Sequence, residues 1–101
     1  MAEAVSFRLV PEAARDLQDI WAFSADRWSV EQAEAYIDRL VGVFELLADY
    51  PELARRREEF TPPVRIHPAA SHLVVYLDRV GGVDILRVLH NQRDLLTFLD
   101  G

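Results

Sequence analysis

Cysteine is absent from the 101 residues, and so is lysine. Without cysteine there is no disulfide framework and no thiolate to act as nucleophile or ligand. Every one of the 11 basic side chains is an arginine. That bias suits planar, bidentate contacts, but the codon composition of a GC-rich genome accounts for it as well and is the preferred reading. No apolar run approaches the roughly 18 residues of a membrane span. The N-terminal MAEAVSFRLVPEAARD has neither a basic start nor a long apolar stretch, so no signal peptide is read and a cytoplasmic location is expected. Glycine-rich phosphate loops (GxGxxG, P-loop) and a nucleophile elbow are missing, and His67, His72 and His90 do not share a metal-ligand spacing on one element. Neither cofactor nor metal is expected. The net charge of −6 argues against an extensive, nonspecific grip on nucleic acid, which needs many phosphate-neutralising cations. It leaves room for a local basic patch.

What is present is ordinary for a globular chain: 50% hydrophobic and 28% charged residues. The length fits a single domain over 1–101 that buries roughly 65% of its unfolded surface, one modest core. The strongest local signal is Ser71 to Asp94. Two β-branched-rich runs, His72–Val80 and Val83–His90, flank Gly81-Gly82, which reads as a β-hairpin with the glycine pair in the turn. Upstream, Val64–His67 alternates as a strand and Pro68–Ser71 reads as a turn. Ser6–Val10 is a further strand candidate.

Between them lie two helices. Pro11 suits a first helical turn, and Ala13, Leu17, Ile20, Trp21, Ser24 and Trp28 form the inward stripe of a helix from Glu12 to about Trp28. Ser29-Val30-Glu31-Gln32 fits a capping box. The stripe Ala33, Tyr36, Ile37, Leu40, Phe44, Leu47 and Ala48 then runs to about Asp49, and Pro51 ends it. The short junction predicts an antiparallel αα-hairpin. Arg55-Arg56-Arg57 before Glu58-Glu59 reads as a charged connector with a short helical turn. Leu95, Leu96, Phe98 and Leu99 suggest a last turn or short helix packing back on the core.

The order β-α-α-β-β-β predicts an α+β domain, a mainly antiparallel sheet packed on one face by the αα-hairpin. Both hairpin strands carry apolar residues on both faces. The sheet face away from the helices is therefore expected to stay apolar and uncovered, an interaction surface for a partner or for a second copy.

In this order and at this length, DIWAFSADRW, SVEQAEAYIDRL, SHLVVYLDR and above all ILRVLHNQRDL resemble the ParE branch of the RelE/ParE toxin superfamily, from about Phe7 to Leu99. These are small toxins of bacterial toxin–antitoxin modules. The resemblance implies a toxin that acts on DNA gyrase, is neutralised by a ParD-like antitoxin whose C-terminal segment wraps it, and sits in a hetero-oligomer that represses its own operon through the antitoxin's DNA-binding half. It implies no catalysis by the toxin; the overall acidity and the switch from Arg55–Arg57 to Glu58-Glu59 count against direct nucleic-acid binding by the toxin alone.

The related RelE branch cleaves mRNA on ribosomes, and it is the alternative reading. Such chemistry needs cations on the scissile phosphate and a general acid and base. Arg65, Arg87, His90 and Arg93 are the residues available for it; the missing lysine and the absence of a tyrosine after Tyr76 count against it. The contact candidates for antitoxin or target are Arg65, Tyr76, Arg87, His90 and Arg93. Arg87 and His90 each have a plainer role beside this one. Arg87 could pair with Asp78 or Asp84, and His90 could cap the strand end through backbone or Asp94. Arg79 reads as solvent-exposed. Trp21 and Trp28 read as core, with Trp28 at the junction partly open.

Overall fold

Pro11 and Ser29 open the two long helices. Pro11 starts α1 (Pro11–Arg27) at the position where its missing N–H costs nothing. Ser29 caps α2 (Val30–Asp49), its hydroxyl accepting the Gln32 N–H at 3.0 Å. The sheet strands are β1 (Ser6–Leu9), β2 (Arg56–Arg57), β3 (Val64–Ala69), β4 (His72–Arg79) and β5 (Gly82–Leu89), and α3 (Gln92–Asp100) follows them. This computed structural model describes residues 6–90 and 92–100, and the backbone alone at 92, 93, 99 and 100. Ser29→Ala is expected to cost about 1 kcal/mol, read as a lower urea midpoint at unchanged m-value.

The sheet order is β1-β5-β4-β3-β2. β1 runs parallel to β5; the remaining pairs are antiparallel. The α+β class and the hairpin-on-sheet layering stand as expected. The helical hairpin lies on one face, where Leu40, Phe44 and Leu47 of α2 and Ala13 of α1 pack against Val74, Tyr76, Val83 and Ile85. Phe7 of β1 meets Phe44 edge-on at 5.3 Å between centroids. Each fully buried Leu or Phe here contributes about 2 kcal/mol through removal of its apolar surface from water.

Several expectations are corrected. The β4–β5 turn is Val80-Gly81, one residue earlier than read: Gly81 takes φ +85°, while Gly82 already pairs with Arg79 and, across β1, with Ser6. β3 continues through Pro68 to Ala69, and the turn into β4 is Ala70-Ser71. Proline is tolerated because β2 reaches only as far as Arg65 along β3, so Pro68 sits on an open edge where no donor is needed. The arginine run holds the short edge strand β2; the helical turn lies earlier, as 3₁₀ at Pro51–Leu53.

The larger correction concerns the second face of the sheet. It is covered. Val64, Ile66, Val75 and Leu89 are buried there beneath Leu95 of α3, with Phe98 of α3 and Phe60 of the connector packed beside them. The exposed large apolar side chains lie instead mostly along the helical hairpin, with Phe23 58%, Trp28 61% and Val30 50% exposed near the α1–α2 junction. Trp21, read as core, is 38% exposed, whereas its stripe neighbour Ser24 is buried.

Candidate functional site

The hairpin junction and the β3–β4 turn face one another across a groove of about 640 Å³, walled by Ile20, Phe23, Trp28, Gln32, Tyr36 and His72. Asp19, Ile20, His72 and His90 also line a second hollow of similar size, which continues past Arg87 and Asp94 to Phe98 of α3. The two hollows form one channel along the seam between the helices and the C-terminal end of β5. Its junction end is aromatic. Phe23 and Trp28 stack edge to face at 6.4 Å, and the Arg27 guanidinium lies 5.9 and 5.6 Å from their ring centres. Its far end is polar and rich in carboxylates: Asp16, Asp19 and Asp94.

Two polar knots set the geometry. The first ties α1 to β5. β1 leaves the sheet after Leu9, so among the described residues no strand lies beside the outer edge of β5 beyond Ile85. A bulge sits there: Tyr76 of β4 faces Ile85 while Val75 faces Arg87, leaving Leu86 as the extra residue. Asp16 of α1 closes the gap. Its carboxylate accepts the Val88 N–H at 2.9 Å and both nitrogens of the Arg87 fork at 2.7 and 3.0 Å. The Arg87 guanidinium is held above its ordinary pKa, first by this hydrogen-bonded carboxylate.

The second knot joins α2 to the β3–β4 turn. The Tyr36 hydroxyl accepts the Ser71 N–H at 3.0 Å and lies 2.6 Å from His72 Nδ1. The His72 ring packs edge-on against His90, with centroids 5.3 Å apart. His72 is 9% exposed. Burial pushes its pKa down, and the neighbouring His90 adds to the shift; Asp16 and Asp94 oppose it.

The residues singled out in the sequence scatter over this frame. Arg87 and His90 line the channel. Arg87 pairs with Asp16 rather than with Asp78 or Asp84. His90 closes the strand end through its backbone N–H, which Asp94 accepts at 3.2 Å. Arg65 lies elsewhere, on β3: it is forked onto Asp78 at 2.7 and 3.2 Å and donates to the Ala54 carbonyl. Tyr76 is corrected as a contact candidate. Its side chain is fully buried and its hydroxyl donates to the Pro51 carbonyl at 2.7 Å, so it offers nothing to a partner. Arg93 belongs to α3, and its side chain lies outside the described residues. Arg79 is not simply solvated; it sits 3.2 Å from Asp84, which also holds Arg8 in a fork. No local pattern marks Asp16, Phe23 or His72 as site residues: Asp16 and His72 acquire their roles from Arg87 and Tyr36, 71 and 36 positions away in the chain, and Phe23 from an exposure that periodicity leaves open. Among the described residues no three His, Asp or Glu side chains converge as metal ligands, and no helix is long and apolar enough to cross a membrane.

The family sequence model described as "ParE toxin of type II toxin-antitoxin system, parDE" matches residues 7–95. The chain belongs to the ParE toxin family. It is 41% identical over 85 residues to toxin ParE1 of Caulobacter vibrioides, covering 83% of this chain and 86% of that one. It is 36% identical over 90 residues to toxin ParE1 of Mycobacterium tuberculosis, covering 88% and 92%. Its fold is shared with a chain of the solved structure "Chromosomal ParDE TA system from P. aeruginosa", at TM-score 0.74, 18% identity, 90% coverage of this chain and 100% of that one. The ParE resemblance read from ILRVLHNQRDL and its neighbours is therefore the family in fact.

Proposed function

We propose that this ParE toxin inhibits DNA gyrase without itself being an enzyme, and that a ParD-like antitoxin silences it by binding its surface. Membership of the ParE family across residues 7–95 is the observation that carries the reading. The solved neighbour is a ParDE toxin–antitoxin system, which supports an antitoxin as the partner. The site chemistry agrees. A ribonuclease cleft needs cations available to the scissile phosphate. Here Arg65 and Arg87 are each forked onto an aspartate, and the channel beside Arg87 is rimmed by Asp16, Asp19 and Asp94. An acidic rim repels a phosphodiester. The aromatic end of the channel, with Phe23 and Trp28 open to solvent, has the character of a protein-binding surface.

Expression of the chain alone should stop growth and induce the DNA-damage response. The purified chain should inhibit gyrase supercoiling, and cellular mRNA should stay intact. Co-expression of a ParD-like antitoxin should restore growth. Ribosome-dependent mRNA cleavage with gyrase unaffected would instead assign the RelE-type activity. Absence of toxicity at every expression level would leave a toxin fold kept for complex formation alone.

A further inference from the structure

The Tyr36 hydroxyl has a single proton and two lone pairs, and its surroundings use them in a specific way. One lone pair takes the Ser71 N–H. The proton then points at His72 Nδ1, 2.6 Å away, which must be unprotonated to accept it. That fixes the neutral ring with its hydrogen on Nε2. A protonated ring reverses the demand. Nδ1–H would become a donor, the hydroxyl would have to accept twice, and its own proton would need an acceptor elsewhere. The ring is also poorly placed to hold charge, at 9% exposure and edge-on to His90.

We propose that His72 is a proton-operated latch on the groove: protonating its ring unties Tyr36 of α2 from the Ala70-Ser71 turn and frees the hairpin junction to move away from the sheet. Groups on four neighbouring elements set its threshold. From α1, Asp16 and Asp19 face the ring side of the channel; from β5 and its exit, Arg87 and the His90 ring; from α3, Asp94; and from α2, Tyr36 itself. Asp16 and Asp94 attract a proton to His72, but Asp16 is already bonded to Arg87 and Val88 and Asp94 to the His90 N–H. Burial and His90 prevail and lower the pKa of the latched ring.

The sign follows. A ring whose pKa is lower when latched than when free favours the latched state at higher pH, fully so above the ordinary imidazole value of 6.5. Latching weakens as pH falls below that value. Opening that takes up one proton becomes about tenfold more populated per pH unit, until the latched ring itself protonates.

The test is NMR on the full-length chain. Long-range ¹⁵N spectra of the histidine rings at neutral pH should show His72 with Nδ1 bare and the proton on Nε2. Exchange protection of the Ser71 amide, corrected for the intrinsic pH dependence of exchange, should fall about tenfold per pH unit below the imidazole range. Amides of the β4–β5 ladder should keep their protection over the same range. Tyr36→Phe should leave Ser71 unprotected at every pH with the ladder still protected, and His72→Gln should remove the pH step. A proton on Nδ1 at neutral pH overturns the proposal. So does Ser71 protection that ignores the His72 titration. Parallel loss of protection in the β4–β5 ladder overturns it too, since the acid transition would then be unfolding of the whole domain.

Discussion

Gly82→Ala is expected to strip β1 from the sheet and to destabilise the domain by about 4 kcal/mol or more. A Cβ built at Gly82 lies 1.6 Å from the Ser6 carbonyl oxygen and 2.7 Å from its carbon. Both are backbone atoms of the strand that pairs with Gly82, so no rotamer change relieves the overlap; β1 itself must move. The position also holds φ +150°, which an L-residue adopts only with strain. Moving β1 has further costs. Ser6, Phe7, Arg8 and Leu9 lose their register with Gly82, Val83, Asp84 and Ile85. The Phe7–Phe44 contact and the Arg8–Asp84 fork go with them. The companion Gly81→Ala isolates the conformational part. Gly81 has φ +85° but nothing within 4 Å of its added Cβ, so strain alone acts and the expected cost is about 1 kcal/mol. Urea unfolding of both variants checks the contrast, and amide exchange shows whether the loss in Gly82→Ala begins at β1. Equal costs for the two variants would mean that β1 yields freely and that the close approach to Ser6 has no structural weight.

That pair of glycines also shows where reading the chain stops. Gly81-Gly82 announces a tight turn, and a turn is there. But only Gly81 serves the turn, and Gly82 is glycine for a carbonyl 76 positions earlier in the chain. Local pattern assigned both to the same cause. α2 was fully legible because its signals are local: the Ser29 cap, the seven-residue stripe and the Pro51 stop all lie within the helix or beside it. α1 was legible in extent but not in orientation. Its stripe counts Trp21 and Trp28 as inward along with Ala13 and Ser24. Ala13 and Ser24 went inward, leaving Trp21 and Trp28 exposed by 38% and 61%.

The apolar second face of the sheet does need cover, and the chain itself supplies it. Leu95 and Phe98 supply it from a nine-residue helix, and Phe60 from a connector whose arginines and glutamates masked its packing role. The functional consequence is a change of surface. The open apolar area moves from the sheet to the helical hairpin, where Phe23 and Trp28 flank the groove that His72 and Tyr36 close from the other side. Family membership was legible from β5 and its exit, because ILRVLHNQRDL carries both the strand and the residues that end it. The partner of Arg87 was not: an arginine in mid-strand declares a need for a carboxylate, and Asp78 and Asp84 were nearer in sequence. Those two are taken by Arg65 and by Arg8 with Arg79, so each fork is matched to a carboxylate across the fold.

Asp16 is expected to matter more than the arginine it holds. Its carboxylate serves two clients at once, the Arg87 fork and the Val88 N–H on the bulged, strandless edge of β5. Asp16→Ala removes both acceptors and leaves a buried backbone donor without a partner beside a cation, an expected loss of about 3 kcal/mol. Arg87→Met keeps the apolar stem over the sheet edge and leaves Asp16 still bonded to Val88. Arg87 is partly open, with its side chain 34% exposed, so solvent softens the loss and about 1 kcal/mol is expected. The double variant should cost little more than Asp16→Ala alone, giving a coupling energy of about 1 kcal/mol. Asp16→Asn divides the two roles. Its amide oxygen still accepts from Val88 while the charge is gone, so its cost should fall between those of Arg87→Met and Asp16→Ala. Urea denaturation of the four variants measures the series, and exchange of the Val88 amide reads the edge directly: protection lost in Asp16→Ala and kept in Arg87→Met. If Arg87→Met proved as damaging as Asp16→Ala, the ion pair and not the capped strand edge would be what fastens α1 to the end of β5.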